Sequence, residues 1–129
     1  MDFVTLNKAL AEKLQTDFGV RAAELSRTKK YGDFDILVNT TPLGTKGNLE
    51  NETPAAAEQL EGLKLVYDLI YNPLETKLRR EAARTRIPTL GGLEMLVAQA
   101  AAQQIIWTGM DAPLKEMSQA AITKLQARK

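Results

Sequence analysis

LKLVYDLIY, residues 63–71, is the stretch from which the fold can be read. One face of the run holds Leu63, Leu65, Tyr67, Leu69 and Tyr71, the other Lys64, Val66, Asp68 and Ile70, so both are largely apolar. A strand apolar on both faces is covered on both, the condition of a strand inside a parallel sheet with helices above and below. Asn72-Pro73 ends the run, and Thr76 then starts a charged helix reaching to about Thr85. Strand followed by helix is the repeating unit of a parallel α/β sheet.

The same alternation recurs on either side. DILVNTT (35–41) predicts a strand of three consecutive apolar residues and a polar tip that stops at Pro42. Residues 44–53, rich in Gly, Asn, Thr and Glu, predict a surface loop. RIPTL (86–90) predicts a short last strand, in which Pro88 marks an edge or irregular position. Residues 3–6 and 20–25 predict two further strands. Between them Asn7 caps a helix in which Leu10, Leu14 and Phe18 recur every fourth residue before Gly19 closes it. Residues 26–33 read as loop or short helix. The fold class is α/β.

GGLEMLVAQAAAQQIIWTG (91–109) predicts the principal helix. Its two leading glycines leave bare backbone N–H groups at the start, where a polar or anionic ligand is most easily held. Between Leu90 and Met110 the only charge is Glu94, which predicts a helix covered on most sides. It is too short for a membrane span and carries Gln99, Gln103 and Gln104, so it reads as a buried helix of a soluble domain. Leu93, Leu96, Val97, Ala100, Gln104 and Trp107 share one face, and Met95, Gln99, Ala102 and Ile106 another. After Pro113 a final amphipathic helix sets Leu114, Met117, Ala121 and Leu125 on one side.

Composition narrows the chemistry. Seventeen basic and sixteen acidic residues nearly cancel over 129 residues, without a long single-sign block, so charge supplies no footprint for nucleic acid or a membrane surface. With neither cysteine nor histidine there is no disulfide, no thiolate nucleophile, no Cys-based metal site and no imidazole base, and no metal site is expected. Proton chemistry would fall to Asp, Glu, Lys or Tyr. The start, MDFVTLNKAL, lacks a basic region followed by an apolar core, so a cytoplasmic protein is expected.

Three polar clusters fall just past the C-terminal ends of predicted strands: Asn39-Thr40-Thr41, Tyr71-Asn72 and Gly91-Gly92. Each alone is an ordinary turn, strand end or helix start. Their convergence is the signal, because in an open parallel sheet that edge forms the ligand crevice.

These blocks resemble the shikimate dehydrogenase family. GGLEMLVAQA with its following WTG resembles the family's C-terminal G-(L/V)-x-M-(L/F)-(V/I)-x-Q-A run. DFDILVNTTPLGTKG and VYDLIYNPLETKLRREA resemble two preceding family segments, in the same order and with compatible spacing. The resemblance covers roughly residues 3–117. It implies an incomplete Rossmann-type parallel sheet flanked by helices, with C-terminal helices: residues 1–129 as a partial nicotinamide-dinucleotide-binding domain and C-terminal helical segment. It further implies an oxidoreductase of aromatic amino-acid biosynthesis that interconverts shikimate and 3-dehydroshikimate with NADP, NAD being the alternative cofactor. Carried over by position, Thr40, Thr41, Leu69, Gly92 and Met95 lie on the cofactor side, and Tyr71 and Gln99 on the substrate side. Met95 suits packing on a nicotinamide ring, and Gln99 offers a polyol both a donor and an acceptor.

The departures are equally specific. No G-x-G-x-x-G/A phosphate loop occurs, nor the family's N-terminal substrate domain with its catalytic Lys and Asp, so no catalytic residue is assigned. Where the family often has Asn-Arg-Thr for the 2′-phosphate, this chain reads Thr5-Leu6-Asn7. In the order 3-2-1-4-5-6 the absent first strand would sit between the 3–6 and 35–41 strands, leaving a gap of roughly 10 Å with unpaired backbone on both sides. The expectation is a fragment that turns over little alone and works with the missing N-terminal part of the enzyme. A non-catalytic shikimate- or quinate-sensing module and a quinate dehydrogenase-like part are the alternatives.

Overall fold

The computed structural model describes residues 2–5, 7–24 and 30–127. Its order is β1 (Asp2–Thr5), α1 (Lys8–Phe18), β2 (Arg21–Glu24), β3 (Ile36–Asn39), α2 (Ala57–Leu60), β4 (Leu65–Asp68), α3 (Lys77–Arg84), β5 (Thr89–Leu90), α4 (Gly92–Thr108) and α5 (Leu114–Gln126). Every strand pair is parallel, as the two-faced apolar run requires. The strands form two separate ladders, β1-β2 and β3-β4-β5. Among the described residues the two ladders do not pair, as expected for a 3-2-1-4-5-6 sheet without its first strand.

Local chemistry sets the helix ends. Asn7 caps α1, its Oδ1 accepting from Leu10 N at 3.3 Å, and Gly19 closes it in the left-handed region. Thr76 caps α3 in the same way, accepting from Arg79 N at 3.3 Å. The far end of α3 corrects the sequence reading, which began a strand at Arg86. Arg86 instead takes φ +60 as the residue that ends the helix, with Arg86 N donating to Ala83 O and Ile87 N to Ala82 O. Strand β5 therefore starts only at Thr89 and lies at the sheet edge. Leu25 and residues 26–29 of the 26–33 segment, like Leu6, lie outside the described residues.

Leu60, Leu63, Val66, Leu78, Ala82 and Ile87 close the core with Tyr31 and Ala55, so α2 and α3 seal one face of the three-stranded sheet. Glu81 of α3 accepts from Ala57 N at 3.1 Å and caps the single turn of α2, which had no signature in the sequence. The other sheet face stays open. Ile36, Val38 and Leu90 are each about half exposed, so the strand that reads as covered on both faces belongs to a sheet covered on one.

Two further expectations are corrected. Helix α4 is not covered on most sides: only Gly92, Val97 and Ala101 are buried, whereas Ile105, Ile106 and Trp107 stand out toward solvent. Apolar composition fixed the helix, but packing covers only the strip that meets the sheet edge and α5. In α1, Leu10 and Phe18 are exposed and Ala11 is the buried residue. Among the described residues no helix is long and apolar enough to cross a membrane.

Candidate functional site

β3 and β4 both end in buried polar residues that lie opposite each other in register, Asn39 and Asp68. The Asn39 amide donates to Asp68 Oδ1 at 2.9 Å and to the Leu43 carbonyl at 3.3 Å. Its Oδ1 accepts from Thr41 N at 3.0 Å and from Thr41 Oγ1 at 2.7 Å, an Asx turn that folds the chain back before Pro42. Thr41 Oγ1 in turn accepts from Leu43 N at 3.3 Å. Asp68 has no exposed surface and meets only neutral donors: Asn39, Ile70 N at 3.2 Å, and Thr76 Oγ1 at 2.5 Å. A buried carboxylate is tolerated when its lone pairs are filled in this way. One acid thereby ties the loop after β3, the chain leaving β4 and the cap of α3.

The second junction joins the end of β4 to the start of α4. Leu69 N donates to Asn39 O at 3.1 Å, and Gly92 N to Ile70 O at 3.2 Å. A Cβ on Gly92 would stand 2.0 Å from the Leu69 carbonyl oxygen, so only glycine admits this approach. Beside it, Arg79 donates through Nε to Thr89 Oγ1 at 3.2 Å and through Nη1 to the Leu74 carbonyl, holding the 72–76 turn against β5. A cavity of about 180 Å³ opens here, lined by Ile70, Tyr71 and Leu74, by Arg79, by Gly91 to Glu94 of the α4 start, and by Ile122 of α5.

The seven candidate residues divide between these junctions. Tyr71, 43% exposed, and Gly92 line the cavity, and Leu69 touches Gly92 through its backbone. Thr41 is half-buried with its hydroxyl committed to Asn39, while Thr40 is exposed at the loop surface. Met95 is half-buried and Gln99 exposed, one and two turns further along α4, and neither lines the cavity. Sequence reading missed Asp68, Thr76 and Arg79 as parts of the site. The one available signal was Asp68 itself, an acid in an otherwise apolar strand.

The cavity wall offers the Tyr71 phenol, the charged side chains of Arg79 and Glu94, backbone at the start of α4 and apolar surface from Ile70, Leu74, Leu93 and Ile122. Among the described residues no group of three or more acids could hold a metal ion. Remote from the cavity, at the opposite end of β4, the Lys64 ammonium is held above its ordinary value by its hydrogen bond and ion pair with Asp35, 2.6 Å away.

Comparison with known proteins gives consistent matches. Residues 92–122 match the family model described as shikimate 5'-dehydrogenase C-terminal domain. The NADP(+) shikimate dehydrogenase of Methanocaldococcus jannaschii is 39% identical over 120 residues, covering 93% of this chain and 43% of the relative. That of Archaeoglobus fulgidus is 42% identical over 103 residues, covering 79% of this chain and 38% of the relative. A shikimate dehydrogenase solved with NADP+ superposes with a TM-score of 0.77 at 36% identity, over 91% of this chain and 42% of its own. The Thermus thermophilus enzyme, solved with NADP(H) and shikimate, gives 0.81 at 30% identity, over 95% and 45%. The chain thus spans less than half the length of the relatives it matches.

Proposed function

The chain belongs to the shikimate dehydrogenase family, matching its C-terminal part, and on that premise we propose that it is the nicotinamide-binding half of the active site. In this reading residues 1–129 form a partial dinucleotide-binding domain with a C-terminal helical segment. The whole enzyme transfers a hydride between shikimate and 3-dehydroshikimate in cytoplasmic aromatic amino-acid biosynthesis. Its remaining, N-terminal part is the protein partner.

The observation that carries the proposal is the approach of Gly92 to Leu69, which brings the end of β4 and the start of α4 to one cavity at the C-terminal edge of a parallel sheet. The residues present fit the nicotinamide end of the cofactor. The Leu69 carbonyl, which Gly92 lets stand at the cavity because it has no Cβ, faces its carboxamide, Thr40 and Thr41 bound the cofactor side, and Met95 packs against the ring. Tyr71, with its exposed ring, and Gln99 hydrogen-bond the substrate's hydroxyl and carboxylate groups. Bound NADP supplies the hydride acceptor. The residues do not fit the pyrophosphate in the same way, because the sequence lacks a glycine-rich loop. Binding by this chain alone is accordingly weak, and turnover without the family's Lys and Asp is negligible.

Thermal unfolding titrated separately with NADP, NAD and shikimate tests the reading. A ligand that binds only the folded state raises stability by RT ln(1 + [L]/Kd), about 2.7 kcal/mol at a hundredfold excess over Kd. A saturable rise in midpoint with NADP, removed by Gly92→Val, is expected. Midpoints unmoved by all three at millimolar concentration would overturn it.

A further inference from the structure

Arg79 stands where three segments meet. Its Nε donates to Thr89 Oγ1 of β5 at 3.2 Å, and its Nη1 to the Leu74 carbonyl in the 72–76 turn. The guanidinium also lies against the start of α4, where a Cβ on Gly91 would stand 3.0 Å from Nη1. A planar guanidinium donates in fixed directions from several nitrogens, so one side chain can hold two acceptors and still rest on a third segment. An opposite charge is close by, since the Glu94 carboxylate comes within 3.4 Å of the same Cβ position.

The placement of Tyr71 depends on this junction. β4 ends at Asp68 and α3 begins at Lys77, so Tyr71 lies in neither, and bonds made by its neighbours fix it. The Ile70 carbonyl accepts from Gly92 N at 3.2 Å and the Asn72 carbonyl from Lys46 N at 2.9 Å. Two residues further on, Leu74 is held through Arg79. The approach of Leu69 to Gly92, in contrast, is set by the Gly92 N bond to Ile70 and by the missing Cβ, neither of which involves Arg79. We propose that Arg79 is a positioning residue for substrate recognition: through Leu74 and Thr89 it sets the 72–76 turn, and with it the Tyr71 phenol, against the start of α4. This rests on the proposed function, in which Tyr71 meets the substrate, and adds a residue that acts on binding through another. Direct contact between the Arg79 charge and the ligand is the competing account, and substitutions separate the two.

The chain's three tyrosines, Tyr31, Tyr67 and Tyr71, are replaced by 3-fluorotyrosine and followed by fluorine NMR, and shikimate and NADP are titrated separately into the same samples. Arg79→Lys keeps the charge but loses the fork, Thr89→Val removes one anchor and leaves the arginine in place, and Arg79→Met removes charge and fork together. Without ligand, the Tyr71 signal should shift in all three variants, while those of Tyr31, in the core, and of half-buried Tyr67 stay in place. Shikimate should bind each variant about tenfold more weakly, as the loss of a charge-assisted hydrogen bond allows, and NADP by no more than about twofold. A Tyr71 signal unmoved in Arg79→Lys and Thr89→Val, or all three signals moving together, would overturn the proposal. So would equal losses of shikimate and NADP affinity, the mark of a merely structural role. Shikimate affinity that survives Arg79→Lys and Thr89→Val but not Arg79→Met would overturn it in favour of direct charge contact. A chain that binds neither ligand would sink the proposed function instead, and the Tyr71 signal, which needs no ligand, would still show whether Arg79 sets that side chain.

Discussion

Gly92 sits against the backbone of Leu69 so closely that an added Cβ would lie 2.0 Å from its carbonyl oxygen and 2.4 Å from its carbonyl carbon. Both atoms belong to a strand end that cannot swing aside as a side chain can. Gly92→Ala should therefore force the start of α4 off the sheet, lowering stability by about 1–3 kcal/mol as overpacking does. Urea unfolding measures it, and a loss below about 0.5 kcal/mol would show that the junction relaxes freely.

Asp68 is the knot of the polar network. Asp68→Ala leaves the Asn39 amide, Ile70 N–H and Thr76 hydroxyl without that acceptor, at about 1–3 kcal/mol for each one that remains buried and unsatisfied. Asp68→Asn retains an Oδ1 for Asn39 and Ile70 and should cost clearly less. Equal losses in denaturant unfolding would mean that packing, not hydrogen bonding, accounts for the acid.

Arg86 holds φ +60 with a full side chain. The left-handed conformation costs a non-glycine residue roughly 1–2 kcal/mol, and glycine gives back about 0.5–1 kcal/mol in backbone entropy. Arg86→Gly should thus stabilise the chain by about 0.5–1 kcal/mol, read as a higher urea midpoint at unchanged slope. A lower midpoint would show that the guanidinium supplies an offsetting contact.

The Lys64–Asp35 pair lies fully in solvent, and screening leaves such pairs with little to contribute. Because pairing raises the Lys64 pKa, its small contribution is present at neutral pH and is lost as pH rises past the lysine range. Lys64→Met should leave the midpoint at neutral pH within error, and 1 M salt should erase any difference.

Trp107 is the chain's single tryptophan and is 77% exposed near the end of α4. Its fluorescence should be quenched by acrylamide nearly as efficiently as that of a free indole. Strong protection would show that this helix end is covered in solution, by a second copy or by ordering of the chain around it.

Local features were legible in the chain before folding. Asn7, Thr76 and Gly19 act on backbone groups within four residues, so the ends they set were legible before any packing was known. The two-faced apolar run of β4 dictated parallel pairing, and the absence of a phosphate-loop strand foretold two ladders where a complete sheet has one. Candidate residues at three strand ends were legible for the same reason, since polarity must resume where a buried strand meets solvent.

Tertiary structure alone decided the rest. Asn39 and Asp68 are 29 positions apart, and only the β3–β4 register makes one the partner of the other. A comparable separation along the chain hides the approach of Gly92 to Leu69, which depends on how α4 meets the sheet. Burial was likewise not written in hydrophobicity: Ile106 and Trp107 belong to the most apolar helix yet remain exposed, because coverage depends on which neighbours arrive. Periodicity and capping are properties of adjacent residues. Partnership, register and coverage are properties of the folded chain.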